Sequence, residues 1–279
     1  MTDNKIGILA GEGSPPVCVA RGAARKGHHI TIMAIKGITA PGIGEYADKI
    51  HWCKLGRFNQ MIKIMKQEGI KQMAMIGRIN QKLSLNPFNY DLRSIFVMMN
   101  LPDLRPKSIF QAIEQELEKE GIEILDTRPF LQQYIPHEGV LTSKRELTPE
   151  EDEAIHFGYP IAKMVADAEI GQSIAIDRRK AVIAVEAIEG TNKMIERVGQ
   201  LDIPDSIFIK VSRTRQDFRF DIPTIGITTI EEIKKVGGSV LAVTAEEMLF
   251  FQKEEALAFA DESDITVVAV DDAKYSNKA

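Results

Sequence analysis

The first third of the chain alternates short apolar runs with amphipathic stretches. Lys5–Ala10 and His29–Ile35 are apolar runs of strand length, and residues 15–26 between them fit a helix with proline in its first turn. A strand, a helix and a second strand in this order predict two parallel strands joined by a crossover. Further along, the same alternation predicts a helix at 58–67, a strand at Gln72–Ile76, a helix that ends at Glu120 and a strand at 122–125.

A capping pattern and a loss of periodicity mark the end of this first domain. Ser108 and Gln111 have the spacing of a capping box, so we expect the last helix of the domain to begin there. Residues 133–145 carry little apolar periodicity, which is typical of a domain boundary. We therefore predict an N-terminal Rossmann-like α/β domain with a parallel sheet over residues 1–134.

The second half of the chain opens with a strong helix start. Thr148, Pro149 and Glu151 combine capping-box spacing with proline at the first helical position. The elements predicted after it are a hairpin at 172–177 and 181–188, a helix at 192–198, a strand at 207–211, a helix capped by Thr228 and Glu231, and strands near Val240 and at 265–270. They predict a C-terminal α/β domain with a mixed sheet over residues 135–271, followed by a flexible tail at 272–279.

Composition and charge narrow the function classes. With 35 Lys plus Arg against 40 Asp plus Glu, the net charge is −5, which gives no electrostatic case for binding nucleic acid. The chain has no apolar run long enough to span a bilayer and no basic region of a signal peptide at its start, so we expect a cytoplasmic protein. Two cysteines and five scattered histidines lack zinc-ligand spacing, which leaves carboxylate-bound Mg²⁺ or Mn²⁺ to consider.

The loop after the first strand is a candidate phosphate site. Gly11 and Gly13 can bring backbone N–H groups and the positive end of the next helix close to a phosphate. A dinucleotide fingerprint would need glycine where Pro16 stands and an acidic residue where Lys36 stands, so NAD is disfavoured. The alternative is a tight turn that needs glycine for backbone reasons alone.

A second candidate loop follows an apolar strand in the C-terminal half. Gly190 and Thr191 precede a predicted helix, so Thr191 is either its N-cap, a phosphate contact, or both. Glu186 and Glu189 are three residues apart and would point to opposite faces of an extended strand. We expect Glu189, the nearer of the two to the loop, to face the site; a surface salt bridge is the alternative.

A third candidate loop holds two aspartates among arginines. In an extended segment Asp217, Arg219 and Asp221 would share one face, which would set two carboxylates for a divalent cation beside a guanidinium for a phosphate oxygen. Alternating surface charge explains the same pattern. Pro223 and Gly226 mark a loop rather than an exposed helix face, and this context favours a functional role.

Several stretches of the chain, taken together, match one known pattern. They are IGILAGEG at 6–13, the pair Gly77-Arg78, EGVLT at 138–142, IGQSIAI at 170–176, AVEAIEGT at 184–191 and KVSRTRQDFRFDIPTIG at 210–226. With these stretches the chain resembles the LpxI-type UDP-2,3-diacylglucosamine pyrophosphatases of lipid A biosynthesis. The resemblance implies Mg²⁺-dependent hydrolysis of UDP-2,3-diacylglucosamine to UMP and 2,3-diacylglucosamine 1-phosphate (lipid X), with attack at the phosphorus attached to the sugar.

The resemblance also implies roles for individual residues. Asp217 matches the essential aspartate of the family, and we expect Asp221 or Glu189 to help it hold Mg²⁺ or Mn²⁺. The residues expected to bind substrate are Gly11, Gly13, Arg78, Gly190, Thr191, Gln216 and Arg219. The chain departs from many members at Glu12, Asn192 and residues 213–215, where they have a glycine, an aspartate and a Lys-Pro-Gly type run.

Partners follow from the same resemblance. The expected partners are the lipid-linked UDP-sugar, enclosed by two α/β domains, and transiently the inner-membrane surface where that lipid resides. A homodimer is compatible with the sequence, whereas nucleic acid is not expected. The rival hypothesis is a non-catalytic protein that binds a nucleotide-sugar or a lipid through the same loops.

Overall fold

The computed structural model describes residues 4–79, 90–103 and 105–276, which divide into two units. Unit one is Met1–Gln132 with Phe218–Phe220, and unit two is Gln133–Asp217 with Asp221–Ala279. The sequence assigned Phe218–Phe220 to the C-terminal domain. The structure groups them with unit one because the Phe220 ring stacks on Phe110, with centroids 5.1 Å apart.

A parallel sheet forms the centre of unit one. Its strands are β1 (Lys5–Ala10), β2 (His29–Ile35), β3 (Lys49–Cys53), β4 (Gln72–Ile76) and β5 (Glu123–Ile124), and its helices are α1 (Pro15–Arg25), α2 (Phe58–Glu68), α3 (Leu92–Met99) and α4 (Pro106–Glu118). The strand order is β3-β2-β1-β4-β5 with every pairing parallel, which confirms the predicted Rossmann-like sheet. The sequence analysis did not predict β3 or α3.

The helix α2 shows how unit one is packed. Phe58, Met61, Ile62 and Met65 are buried, and their spacing of three and four residues places them on one face of the helix. Gly69 ends the helix in the left-handed conformation at φ 71°, which glycine adopts without steric cost. The methionines therefore fill the core, as the sequence indicates.

Unit two is built on a mixed sheet. Its strands are β6 (Gly139–Val140), β7 (Ser173–Ile176), β8 (Val182–Val185), β9 (Ile207–Lys210), β10 (Thr224–Ile225), β11 (Val240–Thr244), β12 (Leu249–Phe250) and β13 (Thr266–Val270), and its helices are α5 (Pro149–Asp167), α6 (Thr191–Gly199), α7 (Ile227–Lys235), α8 (Lys253–Glu262) and α9 (Asp272–Ser276). In the order β6-β13-β11-β9-β7-β8, the strands β13, β11 and β9 are parallel and the others antiparallel to their neighbours, which confirms a mixed sheet. The strands β10 and β12 pair separately.

Two apolar clusters cover the two faces of this sheet. Along β9, Phe208 packs in the cluster that contains residues of α6, α7 and α8, while Ile207 and Ile209 pack in the cluster that contains residues of α5. Such alternation is the period of a strand buried on both faces. Both faces of the unit two sheet are therefore covered by apolar side chains.

Three helix starts test the capping predictions. The Thr148 and Glu151 capping box is confirmed. The Ser108 box is wrong, since α4 begins at Pro106 and the Ser108 hydroxyl donates to Asp103 at 2.6 Å. The Thr228 and Glu231 cap is also wrong, since α7 begins at Ile227.

The predicted flexible tail is wrong for its first residues. Asp272–Ser276 form α9, in which the Tyr275 hydroxyl donates to Asp152 at 2.6 Å and the Tyr275 ring stacks on His156 at 3.9 Å between centroids. Ring stacking and this hydrogen bond hold the segment on α5. The last three residues of the predicted tail lie outside the described residues.

Glu151 is a fully buried carboxylate at the start of α5. It accepts from Arg145 at 2.5 Å, from Arg178 at 2.9 Å and from the Thr148 N–H at 3.1 Å. Burial raises the pKa of Glu151, but these partners outweigh it and hold the pKa below its usual value. The ionised form is therefore the one that stabilises the fold.

We predict that Glu151→Gln lowers the free energy of unfolding at neutral pH by about 3 kcal/mol, because it breaks a buried ion pair and leaves arginine charge unpaired. Because the folded pKa is depressed, this contribution is present above the unfolded pKa of 4.5 and is lost as pH falls below it. Urea unfolding from neutral to acidic pH measures both effects. Glu153→Gln is the control and should cost little, because Glu153 lies on the same helix as Glu151 and its pair with Lys180 is exposed. Equal losses in the two variants would contradict this assignment.

Candidate functional site

The glycine loop of unit one is shaped by close backbone packing. The Glu12 N–H donates to the Arg78 carbonyl at 2.8 Å and the Arg78 N–H donates to the Glu12 carbonyl at 3.1 Å, which joins the loop after β1 to the turn after β4. A Cβ on Gly11 would lie 2.6 Å from the carbonyl carbon of Gly77, so a larger residue does not fit. The structure favours the steric alternative for Gly11, and it places Arg78 in a backbone bridge.

The start of α1 offers few N–H groups to a phosphate. Pro15 and Pro16 occupy its first two positions and have no N–H. The N–H groups of Gly11 and Glu12 donate to backbone carbonyls at 2.8 Å. Gly13 has φ 99°, a conformation that itself favours glycine. The geometry therefore gives little support to a phosphate cradle at this loop.

The third candidate loop is a turn, not the extended segment that we predicted. The Asp221 N–H donates to the Asp217 carbonyl at 3.2 Å, which closes residues 217–221 over four positions. Side chains two residues apart do not face each other in such a turn, so the predicted shared face of Asp217, Arg219 and Asp221 is wrong. Arg219 instead forms an ion pair with Glu114 within unit one.

The two aspartates of this turn nevertheless stay close along the backbone. Both are exposed, and Asp221 pairs with Arg213 at 3.3 Å. The Gln216 side-chain amide donates to the Asp221 carbonyl at 2.5 Å and accepts from the Arg213 N–H at 3.2 Å. Gln216, predicted to bind substrate, thus holds the turn in shape.

The second candidate loop presents a different glutamate from the one predicted. Gly190, at φ 83°, is the N-cap of α6, and Thr191 is its first residue rather than the cap. The Thr191 hydroxyl donates to Glu186 at 3.1 Å, whereas Glu189 pairs with Arg197 of α6 at 2.7 Å. Because β8 ends before Glu186, strand alternation does not apply to these two residues. The geometry favours Glu186 as the carboxylate that faces Thr191.

Lys210 is the cation at the centre of these loops, and the sequence analysis missed it. It ends β9 opposite Ser173, and its Nζ donates to the Thr191 hydroxyl at 2.8 Å. Burial lowers the pKa of Lys210, while the negative charges of Glu186 and Asp221 raise it. The second candidate loop therefore contacts Lys210 directly, and the third contributes the negative charge of Asp221.

Gln172 makes a second connection between the same loops. Its backbone N–H donates to Glu186 at 3.3 Å, and its side-chain amide donates to Gln216 at 3.3 Å. One residue thus contacts both the carboxylate beside Thr191 and the amide that holds the aspartate turn. The two loops form one polar network at the edge of the unit two sheet.

A further polar network at this edge was not predicted. Lys163 of α5 pairs with Asp272 at 2.9 Å and donates to the Ser212 carbonyl at 3.0 Å, and Asp272 accepts from the Tyr159 hydroxyl at 3.0 Å. Burial raises the pKa of Asp272, but Lys163 and Tyr159 outweigh it and lower the pKa. Because Ser212 follows β9, this network fixes the chain that leads towards Asp217.

The described residues contain no preformed set of metal ligands. Across the ranges that the structure describes, no three His, Cys, Asp or Glu side chains are arranged to hold an ion. In the same ranges there is no helix whose length and apolarity would let it cross a bilayer. What the network offers is a half-buried ammonium, the N-terminus of α6 and two exposed carboxylates, a set of groups that suits a phosphorylated ligand.

One relative aligns with nearly the whole chain. It is the UDP-2,3-diacylglucosamine pyrophosphatase LpxI of Caulobacter vibrioides, 27% identical over 282 residues, which cover 96% of this chain and 98% of the relative. Two family models match as well, the LpxI N-terminal domain over residues 5–134 and the LpxI C-terminal domain over residues 137–268. Because both domains of the family are present in order and the relative aligns from end to end, the chain belongs to the LpxI family.

Proposed function

We propose that this chain hydrolyses the pyrophosphate bond of UDP-2,3-diacylglucosamine to UMP and 2,3-diacylglucosamine 1-phosphate, a step of lipid A biosynthesis. The Caulobacter vibrioides relative is named for this activity. The observation that carries the proposal is the Lys210 ammonium, bonded to Thr191 where α6 begins. A half-buried cation beside a helix N-terminus suits the two negative phosphates of such a substrate.

Magnesium is the cofactor that we propose, with manganese as the alternative. Mg²⁺ in proteins is commonly held by one or two carboxylates together with substrate phosphate oxygens. Asp217 and Asp221 fit this requirement because they belong to one turn and both are exposed. The chemistry that a bound ion supplies there is neutralisation of the diphosphate charge. Glu189 is a weaker candidate, since it lies outside this turn and its carboxylate pairs with Arg197 at 2.7 Å, closer than the 3.3 Å between Asp221 and Arg213.

The side chains of the network would position the diphosphate for in-line attack by water. One of the three N–H donors of Lys210 goes to Thr191, and we infer that the others serve phosphate oxygens. Arg213, which lies 3.3 Å from Asp221, is placed to stabilise negative charge on the departing UMP. Glu186 keeps the Thr191 hydroxyl oriented. No covalent intermediate is required.

The proposed substrate also sets the location of the protein. We propose a cytoplasmic protein that meets the surface of the inner membrane transiently, because a diacylated sugar nucleotide is anchored there by its acyl chains. The proposed chemistry requires no second copy of the chain, although a homodimer is compatible with it.

The first test is UMP release from UDP-2,3-diacylglucosamine dispersed in detergent. We expect turnover with Mg²⁺, loss of turnover when EDTA removes the ion, and recovery when Mg²⁺ is restored, because the exposed carboxylates alone leave the diphosphate charge unbalanced. Chromatography of the nucleotide product measures the rate. Tight binding of the substrate without any Mg²⁺-dependent UMP would overturn the proposal in favour of the binding protein.

We predict that Asp217→Asn lowers the rate of UMP release by at least about 100-fold, because it removes a charged ligand from the reacting diphosphate. Asp202→Asn is the matched control, since Asp202 is exposed at φ 51°, where asparagine is tolerated. The control should keep the wild-type rate. An Asp217 variant that also keeps it would remove this residue from the mechanism.

We predict that Lys210→Met lowers the rate of UMP release by about 100-fold, because it removes a half-buried charged donor from the site. Steady-state kinetics measure the loss, and thermal melting checks that the variant is folded. Lys235→Met, at an exposed pair with Glu232 on α7, is the control and should behave as wild type. If both lysine variants turn over substrate equally, the site does not lie at this edge of the sheet.

A further inference from the structure

The helix α3 turns apolar side chains towards solvent and a polar side chain towards unit one. Leu92, Phe96 and Met99 are 86%, 63% and 80% exposed, and Ile95 is also exposed, whereas Ser94 is buried. The exposed apolar residues recur at three- and four-residue spacing, which places them on one face. A surface helix of a globular protein normally turns this face to the core. An apolar face of this size towards solvent indicates that something covers it.

Polar bonds hold α3 in this orientation. Asp91 caps the helix by accepting from the Ser94 N–H at 2.9 Å, and the Ser94 hydroxyl donates to the Gly56 carbonyl at 2.6 Å. Arg93 donates to Glu116 at 2.8 Å and to Glu120 of the adjoining segment at 2.5 Å. The polar face of the helix is thus fixed to unit one, and its apolar face is left exposed to solvent.

A cationic cavity adjoins this apolar face. A cavity of about 480 Å³ is lined by Trp52 and by the cations Lys36, Lys54, Arg57 and Lys63. A second cavity, of about 350 Å³, is lined by Leu92 and Ile95 of α3 and shares Arg57, Asn59 and Asp91 with the first. Apolar side chains and cations therefore form one continuous surface.

The lining of the larger cavity holds four cations and one carboxylate, Asp91. Asp91 accepts from the Ser94 N–H with one oxygen and from the Asn59 N–H with the other, at 2.9 Å and 2.8 Å. Both oxygens of this carboxylate therefore accept hydrogen bonds at helix starts, one at α3 and the other at α2. The lining keeps an excess of positive charge.

We propose that the apolar face of α3 and the adjoining cations form a docking surface for an anionic lipid bilayer. The apolar side chains would enter the boundary between head groups and acyl chains, and the lysines and Arg57 would contact lipid phosphates. A second copy of the chain is a poorer occupant, because two-fold pairing would bring the same cations close to one another. A small soluble anion would leave the apolar face uncovered.

This surface deepens the proposed function, since a lipid-linked substrate has to be reached at a bilayer. Docking itself needs no catalysis, so the two ideas can fail separately. Trp52 is the one tryptophan of the chain and lines the cationic cavity, which makes its fluorescence a local reporter of binding.

The test is sedimentation with phosphatidylcholine vesicles prepared with and without phosphatidylglycerol, together with Trp52 emission. We expect binding and a blue shift only with phosphatidylglycerol, both weakened by salt. The double variant Phe96→Ser and Met99→Ser should lose more than about tenfold in partitioning, since two large apolar side chains no longer enter the bilayer. Leu201→Ser, an exposed leucine of unit two, is the matched control.

A charge variant separates the two parts of the surface. Lys36→Gln with Lys63→Gln should weaken binding to phosphatidylglycerol vesicles and leave thermal stability unchanged. With detergent-dispersed substrate, the Phe96 and Met99 variant should release UMP at the wild-type rate, whereas with vesicle-borne substrate it should be slower. Absence of UMP from every sample would defeat the proposed function and leave docking standing.

Three outcomes would overturn the docking proposal. The first is failure of the wild-type protein to bind anionic vesicles. The second is equal binding by the α3 variant and the Leu201 control. The third is a shift of Trp52 emission by inorganic phosphate or UMP without any response to vesicles, which would assign the cavity to a soluble anion.

Discussion

A half-buried ammonium at the end of one strand organises the candidate site. Lys210 ends β9 beneath the start of α6, where burial opposes its charge and the carboxylates of Glu186 and Asp221 support it. Removing a charge from water is costly unless opposite charge and hydrogen bonds compensate. The loop after β8 supplies Thr191, which hydrogen-bonds to both Lys210 and Glu186, and the loop after β9 supplies the negative charge of Asp221. The cluster connects the two loops, and it is the phosphate site that we propose.

The two units of this LpxI family member carry different kinds of chemistry. In unit one, the glycine loop is occupied by backbone bonds to the turn after β4, and its proline-rich helix start has little to offer an anion. What unit one does present is the exposed apolar face of α3 beside a cationic cavity. In unit two, both sheet faces are covered and the polar groups lie at the strand ends, which is where open α/β sheets bind ligands. The proposed division assigns lipid contact to the first unit and phosphate chemistry to the second.

The sequence was sufficient where local pattern decides structure and insufficient where long-range pairing does. Apolar runs gave β1, β2 and β4 at their observed bounds, and the Thr148 capping box marked the start of α5. Lys210 looked like the polar end of an apolar strand, and only its pairing with Ser173 brings it beside Thr191. Arg93 turns inward because Glu116 and Glu120, distant in sequence, receive it. Glu189 was preferred over Glu186 because it is nearer the loop, but its carboxylate pairs with Arg197 while Glu186 accepts from Thr191.

The central claim is that the loops after β8 and β9 act as one site, and a double-mutant cycle tests it most directly. Thr191→Val and Gln216→Ala change one residue in each loop, and kcat/KM for UMP release is measured for both single variants and the double variant. Because Gln172 bonds to Gln216 directly and to Thr191 through Glu186, we predict effects that are not additive, with a coupling of about 1 kcal/mol. Losses that add within about 0.5 kcal/mol would show two independent loops and would contradict the account.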